Sequence, residues 1–215
     1  MRGCHGYREK KSRELQEAAR SLRRDGVVIY PTETLFAIGC SALSGEGAFR
    51  VASCKGRDAD KPLPLLVGRE EQLEMVLAGG YEQLEPLAKA FWPGPLSVLL
   101  PGRADLPREV KNREGLVSIR LSPHPTAQAL CGLSGLPLVA TSANTSGMPA
   151  VRRSGDLGPE LVRSADQVVL QGEEEASGTP STLVRPLGSG WMRILREGAV
   201  TRKSLEKAGF RVKLG

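Results

Sequence analysis

Val27-Val28-Ile29-Tyr30-Pro31-Thr32-Glu33-Thr34 reads as one buried strand and the polar turn that ends it. Four consecutive large apolar residues without alternation are what a strand covered on both faces requires. Pro31 has no amide hydrogen to give to a central ladder, so the chain turns there and leaves Thr32, Glu33 and Thr34 at the strand's end. Upstream, Asp25-Gly26 closes a helix expected over residues 12–24, in which Leu15, Ala18, Ala19 and Leu22 recur at helical spacing.

The same punctuation repeats outward from this segment. Ser44 to Cys54 reads as a short helix, Leu63 to Val67 as a buried strand, and Glu70 to Ala78 and Tyr81 to Phe91 as helices. Trp92-Pro93-Gly94-Pro95 then introduces a strand over Leu96 to Leu100, and Leu116 to Leu121 alternates like another. A helix over Pro125 to Cys131, a strand at Leu138 to Ala140, and strands at Val168 to Leu170, Ser181 to Val184 and Trp191 to Arg196 follow, with a last helix from Thr201 to Ala208. Strands and helices mix without strict alternation. The expectation is therefore α/β: one domain over residues 1–215, with its core at 12–200 and a terminal helix and tail at 201–215. Its twisted sheet mixes parallel and antiparallel strands and carries flanking helices.

Composition supports that size of core. With 215 residues and 40% hydrophobic content, most of the apolar surface can be buried without a covalent staple. Cys4, Cys40, Cys54 and Cys131 show neither Cys-x-x-Cys spacing nor His partners, so no zinc site and no disulfide framework is expected. No apolar stretch approaches the ~20 residues that span a bilayer, and Met1 to Arg8 lacks an apolar signal core. A cytoplasmic protein with no membrane contact is expected. The chain carries a net charge of +6, and positive charge clusters at Arg8, Lys10, Lys11, Arg13, Arg20, Arg23 and Arg24. A nucleic-acid surface is one reading, and the solvated face of an amphipathic first helix is the other, which the helical spacing of the apolar residues among them favours. Aromatics make up only 4% of the chain and do not interleave with these cations, so a single-strand stacking platform is missing.

Four polar segments end or open the apolar runs. Lys55, Arg57 and Lys61 place three cations within seven residues, suited to a triphosphate of about four negative charges. Asp58 and Asp60 beside them either help hold a metal ion on the phosphates or orient the basic groups. No Gly-x-x-x-x-Gly-Lys or Gly-x-Gly-x-x-Gly loop exists, so side chains from several loops must hold any nucleotide. Ser142 and Asn144 follow an apolar strand and can donate to phosphate or cap the next turn. Arg120 ends another strand and needs an acidic partner, either a substrate carboxylate or Glu33. His124 opens a helix and reads as helix-entry packing rather than as a catalytic base, because no Ser-His-Asp or Cys-His arrangement accompanies it.

Taken in order, Tyr30-Pro31-Thr32-Glu33-Thr34, Lys55-Gly56-Arg57 with Lys61-Pro62, Phe91 to Leu96, Ser142 to Gly147, and Ser181-Thr182 with Ile194-Leu195-Arg196 resemble the YrdC-like family of threonylcarbamoyl-AMP synthases. The resemblance runs from about Gly26 to Gly198. It implies the family's α/β fold and a nucleotidyltransferase that joins L-threonine, bicarbonate and ATP, with magnesium as cofactor, into threonylcarbamoyl-AMP and pyrophosphate. It groups Lys55, Arg57, Ser142 and Asn144 as the catalytic cluster. ATP would meet these with Lys61 and Arg196, threonine would meet Thr34, Arg120 and Ser181, and no residue is assigned as a metal ligand. The implied partners are a tRNA threonylcarbamoyl transferase and a contact with tRNA or double-stranded RNA.

The match departs from the family at Ala37, where Gly is usual, at Asp58, and at Met148-Pro149-Ala150-Val151. The sequence after Gly198 is short, so the further C-terminal domain of longer members is not expected. Two other readings stay open: a non-catalytic RNA-binding relative, and a carbamoyl-adenylate-forming relative acting on another donor.

Overall fold

The computed structural model describes residues 3–56, 61–170 and 176–214, with side chains from residue 12 to 213 within those segments. Helix α1 covers Gly3–Leu22, followed by strands β1, Val28–Pro31, and β2, Phe36–Gly39, and by helix α2, Gly45–Cys54. Next come β3 at Leu65–Val67, a 3-10 turn at Glu70–Met75, α3 at Tyr81–Phe91, β4 at Leu96–Pro101 and β5 at Leu116–Leu121. The chain continues through α4 at Pro125–Ser134, β6 at Leu138–Val139, β7 at Thr141–Ser142, α5 at Pro159–Ser164 and β8 at Gln167–Val168. It ends with β9 at Thr182–Gly188, β10 at Trp191–Arg196, α6 at Arg202–Lys207 and β11 at Arg211–Leu214.

These strands form two sheets, ordered β7-β2-β1-β8 and β11-β10-β9-β4-β5-β3-β6. Both mix directions: β1 runs antiparallel to β2 and parallel to β8, and β4 runs antiparallel to β5 and parallel to β9. The expected mixed α/β fold is the one observed, with its strands divided between two sheets. Between β6 and β7 the chain steps from the larger sheet to the smaller across Ala140, whose amide bonds Pro64 O at 2.9 Å.

One apolar cluster spans both sheets, with Ile29, Phe36 and Ile38 packed in it together with Leu65, Val98 and Ile119. A second gathers Ala18 and Leu22 of α1, Tyr30 and Leu66 of the strands, and Ala127, Leu130 and Cys131 of α4. Each fully buried large side chain here stabilises by about 1.5–3 kcal/mol relative to exposure. Tyr30 is completely buried yet satisfied, because its hydroxyl donates to Val139 O at 2.9 Å. Burial, and after it the neighbouring Cys131, pushes this phenol well above its ordinary pKa.

Helix α1 starts earlier and stops sooner than its apolar spacing implied, and Asp25 ends the connection in a left-handed conformation at φ 62°. Its basic residues behave as a solvated face wherever their side chains are described: Arg13 pairs with Glu17, and Arg23 caps Leu133 O of α4 at 2.6 Å. Arg8, Lys10 and Lys11 have side chains outside the described residues. Strand β2 and helix α5, absent from the sequence reading, complete the frame around the site.

Candidate active site

The turn after β1 is built by Thr32. Its hydroxyl donates to Leu35 O at 2.6 Å and accepts from the amides of Leu35 and Thr34, at 3.2 and 3.4 Å. A Ser/Thr turn of this kind substitutes a side-chain oxygen for a strand partner. It holds Thr34 Oγ1 3.0 Å from Thr32 Oγ1 and points Thr34 into a cavity of about 190 Å³. Strand β5 brings Arg120 to the same cavity, β4 brings Ser97, the loop before β9 brings Ser181, and β10 brings Arg196. The step from β6 to β7 adds Thr141 and Ser142. Six separate segments of chain thus converge where the two sheets meet.

The Arg120 guanidinium is nearly sealed from solvent, with side-chain exposure of 8%. Its acidic partner within the protein is Glu33, to which it donates a hydrogen bond, while its second terminal nitrogen lies 3.5 Å from Thr34 Oγ1. Of the two partners weighed from sequence, the structure shows the internal one. Arg196 donates to Ser181 O at 3.2 and 2.9 Å and to Ser181 Oγ at 3.2 Å. Ser97, which the sequence reading passed over, lies with its hydroxyl 2.9 Å from that of Ser181. Desolvation, and after it the charge of Arg120, lowers the Arg196 guanidinium from its ordinary pKa. Two like charges thus border one small cavity, an arrangement that favours an anion between them.

A second, larger groove of about 610 Å³ adjoins the first at Ala150 and is lined by Asn144, Thr145, Met148, Pro149 and residues of α5. The Met148-Pro149-Ala150-Val151 segment, a departure from the family pattern, forms part of its wall. Ser142 lines the small cavity and Asn144 the large one, so the Ser-Ala-Asn segment is the ridge between them.

Behind this ridge stands Lys55. The side chain expected as a phosphate cation in a loop is only 2% exposed, and its ammonium donates to the carbonyls of Ser142 and Asn144, the second at 2.5 Å. It also lies 3.5 Å from Asn144 Oδ1. Asn144 in turn donates to Met148 O at 2.6 Å. Lys55 therefore braces the ridge and lines neither cavity. Lys61 is exposed and borders neither, and Arg57 lies outside the described residues. His124 caps α4, its Nδ1 accepting from Thr126 N at 3.2 Å, which is the helix-entry role.

The missed contributors carry weak sequence signals. Ser97 sits inside an apolar strand, where a lone Ser reads as ordinary pleat, and Thr141 precedes the more visible Ser142-Ala143-Asn144.

Known proteins resemble this chain over most of its length. The profile of the Sua5/YciO/YrdC family, described as telomere recombination, matches residues 20–198. The chain belongs to that family. Threonylcarbamoyl-AMP synthase of Pyrococcus abyssi is 33% identical over 194 residues, which are 90% of this chain and 56% of that protein. The enzyme of the same name from Xanthomonas campestris pv. campestris (strain B100) is 36% identical over 187 residues, 86% of this chain and 97% of that one. A crystal structure of P. abyssi Sua5 complexed with L-threonine matches with a TM-score of 0.85 at 32% identity, covering 93% of this chain and 58% of that one. The chain thus spans little more than half the length of the Pyrococcus relative.

Proposed function

We propose that this chain forms L-threonylcarbamoyl-AMP and pyrophosphate from L-threonine, bicarbonate and ATP. The observation that carries the reading is the convergence of Thr34, Arg120 and Ser181 on one small cavity, separated by the Ser142–Asn144 ridge from a groove of nucleotide size. Small-molecule sites run to roughly 300–1,000 Å³, so the larger groove suits a nucleotide and the smaller one an amino acid. Its relatives bear the synthase's name, and one is solved with L-threonine.

In this reading the threonine α-carboxylate meets Arg120 and the hydroxyl groups of Thr34 and Ser181 fix its orientation. The amine adds to the carbon of bicarbonate, water leaves, and a carbamate results. One carbamate oxygen then attacks the α-phosphorus of ATP while pyrophosphate departs with the bonding electrons. Such a displacement needs alignment and charge neutralisation more than a protein nucleophile. Among the described residues the Ser142 hydroxyl, the Asn144 amide and Arg196 are suited to that, with Lys55 fixing the ridge that presents the first two. Arg57, assigned to the phosphates from sequence, lies outside the described residues. Magnesium would enter on the nucleotide phosphates as part of the substrate; Asp58 and Asp60, the carboxylates expected beside them, lie outside the described residues.

A tRNA threonylcarbamoyl transferase would take up the product. Cytoplasmic residence fits three free thiols, at Cys40, Cys54 and Cys131, and a fold in which no described helix is long and apolar enough to cross a membrane. Calorimetric titration tests the division of the site. L-threonine should bind wild-type protein and be lost in Thr34→Val with nucleotide binding retained, whereas equal binding by both proteins would contradict it.

A further inference from the structure

The Glu33 carboxylate has no place in the reaction outlined above, yet it is the most constrained acidic group near the site. Its side chain is 18% exposed and accepts two hydrogen bonds from different residues, Arg120 on Oε1 and Ser122 on Oε2. Ser122 is itself fully buried and held from two sides: its hydroxyl accepts from His124 N at 3.2 Å, and its carbonyl accepts from Gln128 Nε2 at 3.0 Å. A continuous chain of contacts therefore runs from the first turns of α4 through Ser122 and Glu33 to the Arg120 guanidinium. Arg120 lines the small cavity, whereas Glu33 and Ser122 line neither cavity. The carboxylate thus grips the guanidinium from off the cavity and leaves its other terminal nitrogen beside Thr34.

We propose that Glu33 is a positioning residue that, with Ser122, fixes the Arg120 guanidinium and balances one of the two arginine charges at the cavity, so that the pocket selects an amino acid with a single carboxylate. This rests on the threonine reading of that cavity. Three physical points carry it. A buried guanidinium without a carboxylate is costly, so Arg120 needs an internal partner whenever substrate is absent. A planar fork held through one terminal nitrogen has its second donor pre-aimed, which lowers the ordering cost of binding. And with Glu33 ionised, Arg120 and Arg196 together contribute a net charge of about one at the cavity, which one carboxylate neutralises. A side-chain carboxylate brought in by an acidic amino acid would enter the cavity with no cation left over to neutralise it.

The backbone of the same turn reaches the other wall. Glu33 O accepts from Ser177 N at 3.1 Å and Thr34 O from Gly178 N at 3.0 Å, just ahead of Ser181. Displacing Glu33 would loosen both sides of the amino-acid end, whereas the larger groove has no contact with it.

Glu33→Gln keeps the shape and removes the charge, and Ser122→Ala removes the second anchor. In steady-state assays Glu33→Gln should raise the threonine KM about tenfold or more, the loss of one charge-assisted contact, with the ATP KM unchanged. It should also narrow the preference for threonine over aspartate, and Ser122→Ala should shift both quantities in the same direction by less. In parallel, nitrogen-labelled guanidinium spectra, with Arg120 assigned through Arg120→Lys, should show a slowly rotating guanidinium in wild type that averages in Glu33→Gln. An unchanged threonine KM with Arg120 still ordered would overturn the proposal. So would an equal loss for threonine and ATP together with a lowered melting temperature, because Glu33 would then serve the fold alone. If wild-type protein shows no threonine-dependent turnover, the proposed function fails, and the guanidinium spectra alone decide whether Glu33 holds Arg120.

Discussion

Lys55 and Asn144 are joined through the backbone as well as the side chain: the buried ammonium donates to Asn144 O at 2.5 Å and lies 3.5 Å from Asn144 Oδ1. The contact makes Lys55 part of the architecture of the ridge. Lys55→Ala should therefore lower stability as well as turnover, because carbonyls buried without their donor cost about 1–3 kcal/mol. Urea unfolding measures the first effect and pyrophosphate release the second. A variant with wild-type stability and only an elevated ATP KM would show that Lys55 is a mobile phosphate cation instead.

Arg120 should separate the two ends of the site. Arg120→Lys keeps the charge but loses the two-pronged geometry, so it should weaken threonine about tenfold while changing ATP affinity less than about threefold. Titration of each ligand reads this directly. Parallel losses of both would mark Arg120 as a support for the whole sheet junction.

Ser97 and Ser181 share one hydrogen bond at the cavity wall. Ser97→Ala should raise the threonine KM about fivefold, the scale of a neutral hydrogen bond of ~1 kcal/mol, and add little in a Ser181→Ala background. Additive effects of the two substitutions would show that the hydroxyls act independently.

Much of this frame is legible in the sequence, for physical reasons that differ by element. The strand at Val28–Pro31 announces itself through an apolar run stopped by proline, and Tyr81–Phe91 and Trp191–Arg196 are bounded by strong punctuation. Phe36–Gly39 does not, because its four residues follow the polar turn with no punctuation of their own, and Cys40 continues the apolar run. Thr34, Arg120 and Ser181 were expected together and do share a cavity, whereas Arg196, expected at ATP, lines that same cavity because β10 returns beside the loop that carries Ser181. The burial of Lys55 was invisible, since lysine is among the residues least often buried and only its distant carbonyl partners make an exception of it. Ser97 was hidden for the opposite reason, a small polar residue in a strand that needs none.

The junction of α2 with β8 gives a test of the fold by pH. Asp166 accepts from Val27 N at 2.7 Å and pairs with Arg50, and the hydrogen bond from Arg50, ahead of the opposing desolvation, lowers its pKa from the ordinary 3.8. A carboxylate with a lowered folded-state pKa contributes stability that is present above the unfolded value and lost as pH falls through the folded one. Asp166→Asn should therefore be less stable than wild type at pH 7, by no more than about 1 kcal/mol given the exposure of the pair, and the gap should close below about pH 3.8. Denaturant titrations at neutral and acid pH check it, and a constant gap would rule out ionisation of Asp166 as the cause.

The central claim is tested most directly by incubating the chain with ATP, magnesium, bicarbonate and isotope-labelled L-threonine and following pyrophosphate together with the labelled nucleotide. The account predicts pyrophosphate release that requires both threonine and bicarbonate, with one labelled threonylcarbamoyl-AMP formed for each pyrophosphate. Pyrophosphate release indifferent to threonine, or no labelled nucleotide from a folded protein that binds ATP, would contradict it.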